Sequence, residues 1–140
     1  MPIENLARSD VVTAKADDPV QDLATMMDEE EIGSVVITDG EEPVGIVTDR
    51  DLAVQVVAQG ADPADHTAED VMSSDLYTIE PDAGFYQATE MMSDHGIRRL
   101  PVVDSNGELD GIITVDDLNE LLADEHQELA GVIREQRPPY

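Results

Sequence analysis

The chain has 140 residues, of which 41% are hydrophobic, so it can bury a core as one domain or as two very small ones. It carries 33 acidic residues against seven basic ones, and its net charge of −26 argues against nucleic acid and anionic membrane surfaces as partners, because both would repel it. The lack of cysteine excludes disulfides, zinc–thiolate sites and thiol catalysis.

The first half of the chain predicts five elements in the order β-α-β-β-α. A β-rich stretch, "VVTA", leads through a turn with Asp and Pro into apolar residues at helical spacing. Two apolar strands follow, "SVVIT" and "VGIVT", and a helix closes the unit. The apolar faces of the two helices are predicted at Val20, Leu23, Ala24 and Met27, and at Leu52, Ala53, Val56 and Val57.

A linker over residues 58–67, "AQGADPADHT", leads to a second unit. Gly60 can end the preceding helix, and Pro63 bars its continuation. The same elements then recur as the β-rich "LYTI", a helix, the strands "LPVVD" and "DGIIT", and a last helix. Their predicted apolar faces are Phe85, Ala88 and Met92, and Leu118, Leu121 and Leu122.

The tail, residues 125–140, continues the last helix or starts another, and Pro138-Pro139 ends any helix there. Two interpretations of its apolar residues stay open. They pack on the protein's own core, or they form a contact between two chains of a homodimer. The stripe in question consists of Leu122, Leu129, Val132 and Ile133.

The two units are copies of one another. At a shift of 65 residues the pair Met26-Met27 matches Met91-Met92, and at a shift of 66 "GIVTDRDL" at 45–52 matches "GIITVDDL" at 111–118. We assign residues 1–62 to copy one, 63–124 to copy two and 125–140 to a helical tail. The methionines are expected to fill the core. Because one copy is marginal alone, the copies should pack strand face to strand face and leave a pair of related clefts.

The repeated octapeptide has two interpretations. Thr48 and Thr114 stand where a strand ends and a helix begins, and Asp51 and Asp117 follow three residues later, at capping-box spacing. The same geometry suits a nucleotide, because a threonine hydroxyl can donate to a phosphate oxygen and a carboxylate can accept both hydroxyls of a ribose. The pattern T-x-x-D alone does not decide between these roles.

The segments "SVVITD", "PVGIVTDRDL", "HGIRRLPVVD" and "GELDGIITVDDL", in this order, resemble a tandem pair of cystathionine-β-synthase (CBS) domains, the Bateman module. The resemblance covers about residues 3–124. It implies a mixed α/β fold of two β-α-β-β-α repeats packed with pseudo-two-fold symmetry through their sheets, usually paired again as a homodimer. It also implies a non-catalytic module that binds AMP, ADP, ATP, S-adenosylmethionine or NAD and regulates another protein.

The resemblance further implies three kinds of site residue. Asp51 and Asp117 would hold ribose hydroxyls, and Thr48 and Thr114 would lie near phosphate or the adjoining ribose. The residues implied around the adenine are Val12, Thr13, Ile32, Val36, Tyr77, Thr78, Ile97 and Pro101.

Copy two has Arg98-Arg99 where copy one has Gly33-Ser34. Either these arginines pair with some of the many carboxylates, or one or both neutralise the phosphates of a ligand. On the second interpretation the two clefts are unequal. One then suits a phosphorylated nucleotide, and the other is weaker or empty.

We expect no metal and no required cofactor, because His66, His95 and His126 show no metal-ligand spacing. Three functions are weighed: a sensor of adenosyl ligands, a ligand-free dimerisation and interaction module with degenerate clefts, and an enzyme. The enzyme is disfavoured, since no nucleophile–base arrangement is visible. The presence of both Asp51 and Asp117 favours the sensor, whose regulated partner the sequence does not identify.

The acidic residues are spread over both halves rather than gathered in a tail. Such a surface suits a salt-rich cytoplasm, since at about 1 M salt the Debye length is roughly 3 Å and self-repulsion is screened. We therefore expect a halophilic, cytoplasmic protein. The opening "MPIENLARSD" has no apolar run, and no stretch approaches the length of about 18 apolar residues that a membrane span needs.

Overall fold

The computed structural model describes residues 1–136, so the predicted helix stop at Pro138-Pro139 lies outside the described residues. The chain begins with a 3₁₀ turn, Ile3–Asn5, and then forms copy one. Its elements are β1 (Thr13–Ala14), α1 (Val20–Glu30), β2 (Ser34–Asp39), β3 (Glu42–Thr48) and α2 (Asp49–Leu52). β1 pairs in parallel with β2, and β2 pairs antiparallel with β3.

Copy two repeats this order with a shorter sheet. Its elements are α3 (Ala68–Val71), α4 (Phe85–His95), β4 (Arg99–Val103), β5 (Leu109–Thr114) and α5 (Val115–Glu135). β4 and β5 pair antiparallel, while the predicted first strand is reduced to a single parallel bridge between Ile79 and Val102. The predicted fold class, a mixed α/β structure of two such repeats, is confirmed.

The long helices of the two copies bury narrow faces. α1 buries Val20, Leu23 and Met27, and α4 buries Ala88 and Met92, so one methionine of each pair fills a core as predicted. The prediction for Ala24 is wrong, because this residue is exposed. Successive residues of a helix are rotated by about 100°, which places Ala24 at the edge of the buried stripe. The centre of that stripe is at Leu23 and Met27.

The helix at the end of copy one does not keep the α-helical period of about 3.6 residues per turn throughout. After α2 the chain forms a π-helical turn, Ala53–Val57, in which the N–H of Ala58 donates to the carbonyl of Ala53 at 2.8 Å. The wider turn rotates the apolar face, so Val56 is buried whereas Val57 is 75% exposed. The prediction of one apolar face through Leu52, Ala53, Val56 and Val57 is therefore wrong at Ala53 and Val57, which are both exposed. Gly60, at φ +66°, follows the turn as predicted.

The segment that begins each copy packs in the core of the other copy. Ile3, at the start of the chain, is fully buried in the core of copy two, where its N–H donates to the carbonyl of Ala83 at 2.8 Å. In return, Ala68 and Val71, which precede the strand region of copy two, are buried in the core of copy one. The two cores are thus tied together by short segments that cross between them.

These crossing segments, residues 3–8 and 68–73, pass directly over the glycine of each octapeptide. The backbone of Arg8 exchanges two hydrogen bonds of 2.9 Å with Ile112, and Ser73 exchanges hydrogen bonds of 3.0 and 3.3 Å with Ile46. A Cβ at Gly111 would stand 2.8 Å from the Arg8 carbonyl oxygen. A neighbouring backbone therefore passes close to the glycine of both octapeptides, where a Cβ would lie 3.0 Å or less from it.

Helix α5 runs for 21 residues and carries the described part of the tail as one continuous helix. Its apolar stripe stays on the surface, which rules out the interpretation that the stripe packs on the protein's own core. The exposed fractions are 46% for Leu122, 60% for Leu129, 56% for Val132 and 68% for Ile133. Among residues 1–136, no helix combines the length and apolar character needed to cross a membrane.

We expect Gly111→Ala to lower the free energy of unfolding by about 1–3 kcal/mol, the usual cost of overpacking a tight site. The added methyl would meet a backbone carbonyl that two hydrogen bonds hold in place, so the strain cannot be relieved by a side-chain rotation. Chemical denaturation of both proteins in the same salt measures the difference.

Gly131→Ala is the matched control, because Gly131 lies in α5 and has no atom within 4 Å of the position of an added Cβ. There the change should leave stability equal or raise it by up to about 1 kcal/mol, through helix propensity alone. Equal losses for both variants would contradict the crossing-segment argument.

Two candidate ligand clefts

Two clefts open between the copies, and each is lined by both. The first, here called cleft one, has a volume of about 410 Å³. The second, cleft two, has a volume of about 310 Å³. Cleft one is lined by Ile46, Thr48, Asp49, Arg50, Asp51, Ser73, Asp75, Leu76, Tyr77, Ile97, Arg98, Arg99 and Pro101. Cleft two is lined by Arg8, Asp10, Val11, Val12, Glu31, Ile32, Gly33, Ser34, Val36, Arg99, Ile112, Thr114 and Asp116.

The octapeptides form the predicted capping boxes. In copy one the N–H of Thr48 donates to Oδ2 of Asp51 at 2.9 Å, and the N–H of Asp51 donates to Oγ1 of Thr48 at 3.2 Å. In copy two the corresponding distances between Thr114 and Asp117 are 3.0 and 3.3 Å. The structural role of both Thr–Asp pairs is confirmed, and it fixes where the carboxylates lie.

A third capping box lies away from both clefts, at the start of α3. The N–H of Thr67 donates to Oδ2 of Asp70 at 3.0 Å, and Nδ1 of His66 lies 3.5 Å from the same oxygen. The hydrogen bond from Thr67, and then the neighbouring His66, hold the pKa of Asp70 below its ordinary value. The same motif therefore serves capping alone at this position.

Cleft one brings together half of the predicted site residues, seven of fourteen. Copy one supplies Thr48 and Asp51, and copy two supplies the rest. The predicted residues from copy two are Tyr77, Ile97, Arg98, Arg99 and Pro101. The carboxylate predicted to hold a ribose, an apolar wall and the two predicted guanidinium groups thus line one cavity, although they come from segments far apart in the sequence.

Cleft two brings together fewer of them. Val12, Ile32 and Val36 of copy one face Thr114 of copy two. Thr13 lines a separate polar cavity of about 240 Å³, and Thr78 lines neither cleft. Of the residues predicted around the adenine, Thr13 and Thr78 are therefore the two that line neither cleft.

The two ribose-type carboxylates differ in what surrounds them. Nε and Nη2 of Arg8 donate to Oδ1 of Asp117 at 3.2 and 3.1 Å, and the hydroxyl of Thr114 donates to Oδ2 at 3.0 Å. Asp117 is 8% exposed and lines neither cleft. Asp51 is half-buried, lines cleft one, and its Oδ1 accepts no hydrogen bond from residues 1–136.

Most of the basic residues that the structure describes lie at the clefts. Of the six among residues 1–136, four line one cleft or both, namely Arg8, Arg50, Arg98 and Arg99. Arg98 lies 3.7 Å from Asp116, so for this residue the carboxylate pairing weighed from the sequence is present. Arg99 makes no such ion pair within residues 1–136 and borders both clefts.

An aromatic stack shapes the wall of cleft one. The rings of Tyr77 and His95 lie parallel within 13°, with centroids 3.7 Å apart. Tyr77 is therefore held by the end of α4 and presents a fixed edge to the cavity. Among the described residues, no three His, Asp or Glu side chains group closely enough to hold a metal ion.

Among the basic residues of the clefts, sequence reasoning missed two, Arg8 and Arg50. Arg8 lies before the first predicted strand of its own copy and reaches the other copy through the crossing segment. A signal was available, because at the shift of 65 residues Arg8 matches Ser73. An arginine opposite a serine, in a chain with seven basic residues, marks a difference between the copies.

Comparison with known proteins agrees with this geometry. The family model for the CBS domain matches twice, at residues 3–57 and 68–124. An uncharacterized protein of Methanopyrus kandleri is 44% identical over 117 residues, which are 83% of this chain and 60% of that protein. The chain thus spans about 60% of the length of this relative.

Two solved structures are similar throughout. The CBS domain pair of protein MJ0100, in complex with 5′-methylthioadenosine and S-adenosyl-L-methionine, has a TM-score of 0.81 and 25% identity, over 89% of this chain and 98% of that chain. The CBS domain protein PAE2072 from Pyrobaculum aerophilum, complexed with AMP, has a TM-score of 0.76 and 28% identity, over 84% of this chain and 89% of that chain. Two family matches, one per copy, and a shared architecture lead to one conclusion: the chain belongs to the CBS domain family and forms a tandem CBS pair.

Proposed function

We propose that the chain is a non-catalytic regulatory module that binds an adenosine-containing ligand in cleft one. The observation that carries this proposal is the half-buried carboxylate of Asp51, which lines a cavity of about 410 Å³ and whose Oδ1 accepts no hydrogen bond from residues 1–136. The capping box orients this carboxylate, so no rearrangement is needed before it accepts a pair of vicinal hydroxyls.

The remaining parts of cleft one suit the other parts of such a ligand. Ile97 and Pro101 offer apolar contact to a base, beside the fixed ring of Tyr77. Arg98 and Arg99 stand where phosphates would need neutralising, in a chain whose net charge of −26 otherwise repels anions. The ligand we expect is AMP, ADP or ATP, with S-adenosylmethionine and NAD as alternatives.

The relatives support this choice of ligand class. One CBS pair of similar fold is complexed with AMP, and another with 5′-methylthioadenosine and S-adenosyl-L-methionine. All of these molecules contain adenosine, which matches a site with one ribose-type carboxylate and an apolar wall. Their differences lie beyond the ribose, where the arginines of cleft one stand.

The signal, in this proposal, is the packing of the two copies. Because cleft one is lined by both copies, a ligand that contacts both stabilises one relative arrangement over others. A separate protein would read that arrangement, so the module acts as a sensor of adenine nucleotides or S-adenosylmethionine. No required cofactor, nucleic acid or membrane enters this scheme.

A second candidate function is a dimerisation module, and the exposed stripe of α5 favours it. Leu129, Val132 and Ile133 are each more than half exposed on one helix. A homodimer that covers this stripe is compatible with ligand sensing, since dimer packing can transmit the signal. If dimerisation were the sole function of the chain, the clefts would bind no ligand.

We expect Asp51→Ala to weaken the binding of AMP or S-adenosylmethionine by about 10- to 100-fold, because hydrogen bonds to a charged acceptor contribute about 1.5–3 kcal/mol. Isothermal titration calorimetry in concentrated KCl measures this loss. The wild type should also gain thermal stability from the ligand, by about 2.7 kcal/mol at 100 times its dissociation constant.

Asp70→Ala is the matched control, since Asp70 occupies the same position of a capping box outside both clefts. Both variants lose a capping carboxylate, but only Asp51→Ala should lose affinity for the ligand. If no adenosyl ligand binds the wild type, the sensor function is wrong and the dimerisation module remains.

The double variant Arg98→Ala/Arg99→Ala should weaken ATP and AMP by at least about tenfold while changing adenosine little, because charge-assisted hydrogen bonds to phosphate are lost. Competition calorimetry with the three ligands gives the ratio. Arg134→Ala removes the same kind of charge from the far part of α5 and should change none of them. A loss of equal size for adenosine would contradict a phosphate role.

Leu129→Glu combined with Ile133→Glu should abolish dimerisation, since four negative charges would face one another across a two-fold contact. Light scattering coupled to size exclusion should report twice the chain mass of 15.2 kDa for the wild type and a single chain for the variant. Gln127→Glu, on the opposite side of α5, is the control and should stay dimeric. A wild type that is monomeric at high concentration would refute the dimer.

A further inference from the structure

The carboxylate of Asp117 is already hydrogen-bonded to a side chain of the same protein, that of Arg8. Its Oδ1 accepts from Nε and Nη2 of Arg8, and its Oδ2 accepts from the N–H and the hydroxyl of Thr114. Both oxygens are therefore engaged, and the residue is 8% exposed. A ribose that approaches from cleft two meets a guanidinium group where cleft one offers an open oxygen.

Arg8 reaches this carboxylate because of the crossing segment. Its backbone pairs with Ile112, two residues before Thr114, and the antiparallel pairing holds its side chain beside the start of α5. Although the Arg8 side chain is 67% exposed, its guanidinium is directed at a 7% exposed partner. An ion pair with one desolvated partner is screened less by salt than a pair with both partners in water.

Ser73 holds the corresponding place in cleft one. Its backbone pairs with Ile46, two residues before Thr48, in the same antiparallel manner. Ser73 lines cleft one, and its short side chain makes no hydrogen bond to Asp51. The two copies thus differ at this equivalent position, where Arg8 contacts the carboxylate of copy two and Ser73 leaves that of copy one without such a contact.

We infer that Arg8 is an internal occupant that closes cleft two, so that the chain takes a single adenosyl ligand, in cleft one. This inference rests on the proposed function and deepens it, because it states which cleft is used and names the residue that selects it. Arg8 competes with the ribose for Asp117, since two of its nitrogens donate to Oδ1, the carboxylate oxygen that Thr114 leaves free. Arg98 and Arg99 are not required for this selection.

The experiment is a set of reciprocal exchanges, read as the stoichiometry of AMP and of S-adenosylmethionine in calorimetric titrations. The wild type should bind one molecule per chain. Arg8→Ser gives cleft two the residue that cleft one has and should raise the stoichiometry to two. Ser73→Arg should place a guanidinium on Asp51 and abolish the single site.

The combined variant Arg8→Ser/Ser73→Arg should bind one molecule again, now in cleft two. Arg134→Ser removes the same charge from α5 and should keep the wild-type stoichiometry of one. If Arg8→Ser does not fold, the wild-type stoichiometry and the loss in Ser73→Arg still test the inference, because neither depends on an unpaired Asp117.

The outcomes separate the inference from the function beneath it. Two molecules bound by the wild type would overturn the closure of cleft two and leave ligand sensing intact. One molecule bound by both the wild type and a folded Arg8→Ser would show that Arg8 is not the selecting residue. No binding of either probe to the wild type would remove the proposed function and, with it, this inference.

Discussion

The exchange of leading segments between the two copies is the constraint on which the rest of the structure depends. Residues 3–8 complete copy two, and residues 68–73 complete copy one, so neither core is whole without the other. The crossing requires a residue without a side chain at Gly45 and Gly111, where the neighbouring backbone passes within 3.0 Å of any added Cβ. The glycine of each octapeptide is therefore explained by contact between segments rather than by the turn that follows it.

The same exchange makes each cleft composite. The capping box of β3 and α2 comes from copy one, while Arg98, Arg99 and most of the apolar wall of cleft one come from copy two. A ligand in such a cleft contacts two cores at once, which is the physical requirement for reading occupancy as a change in packing. Four of the six basic residues among residues 1–136 also lie at these clefts, where cleft one holds as many carboxylates as arginines, with Asp49, Asp51 and Asp75 beside Arg50, Arg98 and Arg99.

The sequence predicted the repeat, the order of elements and the two capping boxes, because these depend on local pattern. It failed at Val57, since a π-helical turn shifts the helical period and has no clear signature in residue spacing. It also missed the contact between Arg8 and Asp117, which are 109 residues apart and meet through the crossing segment. Comparing the copies position by position reveals that Arg8 is unusual, but not which carboxylate it reaches.

A motif that occurs twice in one chain does not by itself make two equal sites. Thr67 and Asp70 form the same capping box with no cleft beside them, so capping alone can account for a T-x-x-D pattern. What distinguishes Asp51 from Asp117 is the residue presented by the crossing segment, serine in one case and arginine in the other. The capping box sets the position of a carboxylate, and the segment crossing above it decides whether that carboxylate is available to a ligand.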